Sequence, residues 1–315
     1  MHFTVLVAGE NPQEMLAPYQ QNNMGDCPEE FLQFVDQEDE FRHDYDNEGT
    51  DFVKTADGRV LPKRSEEFLR KSENGITNEY FIPEGAELIR MPYSTMYSTF
   101  EEYVKNEEGY GSRDEKSDRY GYWSNPDSKW DWYQLGGRWR GLLKAKEGVV
   151  GVEGESGIFD DDGREGYYDQ LRKGDIDWNG MVEDERKRLT ELFAKIKEVV
   201  AGREIPAPWD EIVLKNNGNI EAARTEYNNH PVVLALRKEQ LIPIFQDMNK
   251  FLCDMDEQKF VESRANNFFT AAILTADGWK DDSCFNTQQE WVKYFNDTLA
   301  GLSDDTLLSI YDCHI

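Results

Sequence analysis

Between Tyr120 and Gly141 the chain reads YGYWSNPDSKWDWYQLGGRWRG. This run places Trp123, Trp130, Trp132 and Trp139, four of the eight tryptophans, beside three tyrosines, a Gly-Gly pair and two arginines. Aromatic rings bury large apolar areas and carry polar edges, and a glycine pair lets backbone approach closely, so such a run builds either a local core or the wall of a pocket. Strand alternation over residues 129–133 sets Trp130 and Trp132 on one face and Asp131 and Tyr133 on the other. Gly136 and Gly137 then turn the chain, and Arg138, Trp139 and Arg140 alternate again. An arginine pair facing away from a tryptophan wall would hold a planar, anionic ligand of nucleotide type, by charge-assisted bonds on one side and stacking on the other. On that reading the binding residues are Trp130, Trp132, Tyr133, Gly136, Gly137, Arg138, Trp139 and Arg140. The alternative is a hairpin that fills the core, with both arginines paired to carboxylates.

The closing Asp312-Cys313-His314-Ile315 is a second constellation. Neighbours on a strand point to opposite faces, so Cys313 and His314 do not make a nucleophile and its base. If the first strand lies beside the last, His2 joins Asp312 and His314 in a grouping suited to weak metal binding or acid–base work. A structurally idle C-terminus is the other reading. His43 lies in an acidic stretch, and His230, before Pro231, reads as a helix-start residue. Asp254-Met255-Asp256-Glu257 reads as a charged helix end.

Common signatures are missing. Neither G-x-G-x-x-G nor a Walker pattern occurs, and G-x-S-x-G, H-E-x-x-H and P-C-x-x-C are absent too. Asp160-Asp161-Asp162-Gly163 fails as a calcium loop because Leu171 stands where the closing Glu belongs. Cys27, Cys253, Cys284 and Cys313 are scattered, without zinc-ligand or disulfide-framework spacing. No cofactor and no metal are therefore expected, and no catalytic set is complete.

The 63 acidic and 35 basic residues leave a formal net charge of -28. Such a chain repels a phosphate backbone, which excludes direct duplex binding and suits a basic protein partner or imitation of nucleic acid. The acidic stretch 26–57 lets Phe31, Phe34, Val35 and Phe41 line one helical face while Glu38, Asp39 and Glu40 stay wet, with Arg42 and Lys54 as its only strong cations. It reads as a solvated face or as a phosphate-mimicking surface. No apolar run approaches the length that spans a bilayer, and residues 1–20 lack a signal-peptide pattern, so no membrane partner and a cytoplasmic location are expected.

The positioning elements are clearest at the two ends. Residues 2–8 read as a strand stopped by Gly9, followed by a short helix from Asn11-Pro12 to Tyr19. Residues 268–274, a turn at Asp277-Gly278, a helix over 288–299 and a strand over 306–311 close the chain. These ends predict an α+β fold with a ferredoxin-like antiparallel sheet built from both termini and a large central helical and loop-rich elaboration. The expected division is a core from 1–25 and 265–315, an acidic and aromatic insertion over 26–180, and a helical segment over 181–264. Residues 184–200 form the clearest helix, and residues 222–255 continue in helical spacing with breaks at Pro231 and Pro243.

Three stretches together resemble an uncharacterised family of tailed-bacteriophage proteins: Phe3-Thr-Val-Leu-Val7 with Leu16-Ala-Pro-Tyr19, the central Tyr120-Gly-Tyr-Trp123 with Lys129-Trp-Asp-Trp-Tyr-Gln-Leu-Gly-Gly-Arg-Trp139, and the closing Asp312-Cys-His-Ile315. Lys173-Gly-Asp-Ile-Asp177 is a weaker echo. The resemblance implies an accessory phage product acting in the host cytoplasm, and it brings no assigned activity. Two functions are expected from these features. One is an anti-defence inhibitor that binds a host protein or complex, such as a nuclease, through an acidic surface. The other is a small-molecule site, an enzyme or a sponge for a nucleotide-like signal, on the Trp, Arg and Gly-Gly cluster.

Overall fold

The computed structural model describes residues 1–71, 78–157, 163–241, 256–266 and 268–315. Pro243, Cys253, Asp254, Met255 and the Asp160–Asp162 part of the aspartate loop lie outside the described residues. Two compact units emerge, one of Met1–Pro18 with Lys129–Ile315 and one of Tyr19–Ser128. The division thus falls elsewhere than at the expected 26–180 insertion. Residues 129–140 belong with the terminal strands because they supply a strand to the same sheet, and the helices of 181–264 belong there too.

In the first unit, β1 (His2–Ala8), β2 (Trp132–Gly137), β3 (Glu155–Ser156), β4 (Gln170–Arg172), β5 (Ala272–Thr275), β6 (Gly278–Asp281) and β7 (Leu307–His314) form one mixed sheet. Its order is β3-β2-β7-β1-β5-β6. Along one edge of β7, β4 pairs with residues 307–309 and β2 with residues 311–314. The chain ends are neighbours, as their apolar patterns predict: β1 and β7 run antiparallel from His2↔His314 to Ala8↔Leu308. Residues 308–313 of β7 are all buried, which requires cover on both faces.

The sheet is not wholly antiparallel. β1 runs parallel to β5, and β3 parallel to β2. A ferredoxin-like sheet splits its first crossover with an intervening strand, whereas β1 and β5 are direct neighbours here. The hairpin strand β6 follows β5 across the turn before Gly278 and takes the outer edge instead.

Helix α1 (Pro12–Leu16) follows β1 and buries Leu16. Asp177 caps α2 (Trp178–Val200), whose Leu189 and Phe193 meet Phe260, Val261 and Ala265 of α4 (Glu257–Ala265). One turn further along, Ile196 and Val200 meet Val232 and Leu236 of α3 (Pro231–Lys238). Thr287 and Glu290 form a reciprocal cap at the start of α5 (Gln288–Gly301). Trp291, Phe295 and Leu299 of α5 then pack on Leu6, Ala8, Leu308 and Ile310, a helical stripe laid on alternate strand residues.

The second unit pairs the strand Gln33–Asp36 with Gly121–Ser124 and packs a helix, Glu38–Asn47, beside a three-stranded sheet. Its core is rich in tyrosine, with Phe41, Phe100, Tyr103 and Tyr120 surrounded by Tyr45, Tyr93, Tyr97 and Tyr110. Only Phe41 of the four expected helical apolar residues lies on that helix. Phe31 ends a 3-10 turn, and Phe34 and Val35 sit on the strand, where cross-strand pairing to Trp123 and Tyr122 overrides their helical spacing.

Candidate functional site

Gly136 and Gly137 end β2, both with positive φ, +78° and +55°. Both are buried, and each faces an aspartate: a Cβ on Gly136 would lie 2.7 Å from Asp169 Oδ2, and one on Gly137 would lie 2.4 Å from Asp312 Cβ. The glycine pair therefore makes room for two internal carboxylates and not for the expected approach of a ligand. Asp169 is fully buried and accepts the amides of Gly141 at 2.7 Å and Gly154 at 2.8 Å, tying three loops together. Burial pushes its carboxyl above the ordinary range, and the two amides pull against that shift.

The tryptophans of the run separate. Trp130 is 4% exposed, donates its indole N–H to Leu16 O at 3.0 Å and meets Tyr133 edge-on at 4.8 Å. Trp132 is 44% exposed and touches His2 instead, at 5.8 Å between ring centres. The shared face expected for Trp130 and Trp132 fails because regular strand begins only at Trp132, after a bend at Asp131. Tyr133 packs inward against Tyr311 at 5.4 Å, and burial pushes both phenols up, Tyr311 to about 12. Trp130 is core, and Tyr133, part-buried, packs against it.

The arginines separate as well. Arg138 is exposed and gives its backbone amide to Asp312 Oδ2 at 3.0 Å. Arg140 pairs with Glu153 at 2.6 Å. The turn at Arg138-Trp139 ends the alternation, so these residues do not form a single Trp-and-Arg wall.

The terminal grouping assembles as the strand pairing requires. His2 Nδ1 lies 2.8 Å from Asp312 Oδ1, and His314 Nδ1 lies 2.8 Å from Asp131 Oδ1, while the two imidazole centres are 4.9 Å apart. Asp312 is 1% exposed, with one oxygen on His2 and the other on the Arg138 amide. Cys313 points to the opposite face, fully buried, and burial and the charge of Asp312 push its thiol well above the ordinary value. Asp131 joins the group unannounced: only the fold shows that its amide and carboxylate both engage His314.

Trp139 leads to another place. It lines a cleft of about 450 Å³ together with Trp178, Phe268, Phe269, Arg164 and Arg264. Thr4, the register partner of Asp312, also borders it. The Arg164 guanidinium stacks 4.0 Å above Tyr167 and donates to Gly141 O at 2.9 Å. Arg264 lies 4.5 Å over Phe260 and donates to the Phe260 carbonyl at 3.2 Å. Among the described residues neither guanidinium makes an ion pair, although acids outnumber bases in this chain almost two to one. Glu185 at the cleft edge is already engaged by Arg188 at 2.6 Å and 2.7 Å. Below the rim, Lys144 and Tyr167 both bond Asp184, at 2.6 Å and 2.8 Å, and hold its carboxyl below the usual range.

The acidic surface is thinner than the sequence suggests. Glu38 is 4% exposed, held by Arg42 at 2.6 Å and by Arg113, so it is an internal ion pair and no part of the surface. Arg119 binds Asp36 at 2.9 Å and Asp39 at 2.8 Å. Asp39 and Glu40 remain exposed. Arg113 and Arg119 lie some eighty residues along the chain from these acids, which is why a local reading finds only Arg42 and Lys54 as cations.

Trp178, Arg164 and Arg264 carried little sequence signal. Arg164 sits in a Gly- and Asp-rich loop and Arg264 in a charged helix, and only packing brings them to Trp139. Among the described residues no group of three or more His, Cys, Asp or Glu is arranged to hold a metal ion, and no helix is long and apolar enough to cross a membrane. Comparison with protein-family models, curated proteins and solved structures finds no match.

Proposed function

We propose that the first unit binds a planar, anionic small molecule of nucleotide type in the cleft lined by Trp139, Trp178 and Phe268. The supporting observation is the pair of guanidiniums, Arg164 and Arg264, which are fixed by ring stacking and by hydrogen bonds to Gly141 O, Phe260 O and Ser263 Oγ, and which make no ion pair among the described residues. Both arginines keep N–H groups for a phosphate or carboxylate, and the indole and phenyl walls offer apolar surface for a ring system. The cleft volume lies in the range of small-ligand sites, roughly 300–1,000 Å³. Purified protein melted with a panel of mono-, di- and cyclic nucleotides tests this reading. Ligand at about a hundred times Kd should add about 2.7 kcal/mol of stability. Arg164→Ala and Arg264→Ala should erase that gain while leaving the unliganded melt within about 1 kcal/mol of wild type. A melt that no nucleotide moves, in protein that releases no small molecule on denaturation, would overturn it.

A second reading is supported by charge. With a net charge of -28 and with Asp39 and Glu40 exposed, the second unit suits a basic surface on a host protein, in the anti-defence setting of a tailed phage. Asp39→Lys with Glu40→Lys should then slow capture of that partner more than it speeds release, and binding should weaken steeply with salt. Affinity that stays flat from low to high salt would reject it.

A further inference from the structure

We infer that His2 and His314 form a chelating pair for a divalent transition-metal ion such as Zn²⁺, at the outer end of the two central strands β1 and β7 and separate from the cleft. The two residues are direct register partners on β1 and β7. Met1 and Ile315, one step outward, exchange both backbone hydrogen bonds, so the histidines occupy a non-hydrogen-bonded position, where facing side chains come closest. Each ring nitrogen Nδ1 is 2.8 Å from a carboxylate oxygen, His2 from Asp312 and His314 from Asp131. A carboxylate accepts only, so each neutral imidazole carries its proton on Nδ1 and keeps its lone pair on Nε2. This is the carboxylate–histidine arrangement that fixes the tautomer and orientation of metal-bound imidazoles.

Distance and access agree with that assignment. Two imidazoles sharing a tetrahedral ion at about 2.0–2.1 Å from each Nε2 keep their ring centres roughly 5 Å apart. The observed separation is 4.9 Å. The His2 and His314 side chains are 22% and 40% exposed, which leaves solvent room for the remaining ligands. With two protein nitrogens and, among the described residues, no group of three or more ligating side chains, water would complete the coordination, which makes the site open and exchangeable rather than structural. Neutral imidazole nitrogen selects zinc, copper or nickel over magnesium and calcium, which take oxygen.

The test is titration of the chelator-stripped full chain with zinc sulfate, read by calorimetry and by the nitrogen-15 shifts of the imidazoles. One equivalent should bind, with the Nε2 resonances of His2 and His314 moving together while those of His43 and His230 stay still. His2→Gln and His314→Gln should each weaken binding at least tenfold, and Asp131→Asn, which removes the positioning carboxylate of His314, should weaken it about tenfold. Cys284→Ser, at the exposed thiol, should change nothing. The wild-type resonances decide the matter even if a histidine variant folds poorly. Zinc that leaves the His2 and His314 Nε2 signals in place, or affinity unchanged in both folded histidine variants, overturns the site.

Discussion

Gly137 and Asp312 fit so closely that a Cβ on Gly137 would lie 2.4 Å from that of Asp312, and the backbone of Gly137 is left-handed, at φ +55°. The contact lets a buried carboxylate reach the Arg138 amide and His2 at once. Gly137→Ala therefore adds an overlap to the left-handed strain, which alone costs about 1–3 kcal/mol. The melting temperature should fall by roughly 5–10 °C. Gly148 has φ +79° but open space around it, so Gly148→Ala should show the strain alone, about 1–2 kcal/mol. Equal melts for the two variants would mean that the Asp312 contact is slack.

Trp130 and Trp132 should part company on truncation. Trp130→Ala removes a buried ring and leaves the Leu16 carbonyl without its indole donor, for a loss of about 3–5 kcal/mol. Trp132→Ala takes away a half-exposed ring and should cost under about 1 kcal/mol. Chemical denaturation of both variants checks the pair.

Glu38 should behave as an internal residue. Glu38→Ala strands Arg113 and Arg42 and the Tyr120 amide, with an expected loss of about 2–3 kcal/mol. Glu40→Ala, on the exposed face of the same helix, should stay within about 0.5 kcal/mol of wild type. Denaturant midpoints that rank the two the other way would return Glu38 to the surface.

Acid should expose the Asp184 contacts. Its carboxyl is held below the ordinary 3.8 first by the Lys144 ammonium and then by the Tyr167 hydroxyl. A depressed folded-state value means the unfolded chain binds the proton first. The contribution is therefore fully present well above 3.8 and disappears as the pH falls through the folded-state value. Asp184→Asn should flatten the stability profile between about pH 5 and pH 2 and leave its shape near pH 7 unchanged. Parallel acid limbs for the two proteins would contradict the assignment.

Local chemistry was enough to specify the elements at both ends. The β-branched run after His2 makes a strand, the Thr287 and Glu290 cap starts α5, and the turn expected at Asp277-Gly278 falls one residue earlier, at Ala276-Asp277, with Gly278 opening β6. The apolar spacing of Leu189, Phe193, Ile196 and Val200 likewise makes α2 legible, and the apolar patterns of the two ends agree with the pairing of the terminal strands, which brings His2 to Asp312 and His314. Periodicity reports which residues share a face of their own element; it carries no information on which distant element will cover that face. Hence the parallel pairing of β1 with β5, the inward turn of Trp130 against Leu16, and the burial of Glu38 by Arg113 were decided only in the folded chain. The cleft is the clearest case. Trp139, Arg164, Trp178 and Arg264 come from separate loops and helices, and they meet because α2, α4 and the loop after β2 pack around one face of the sheet, a long-range arrangement that no local run of residues specifies.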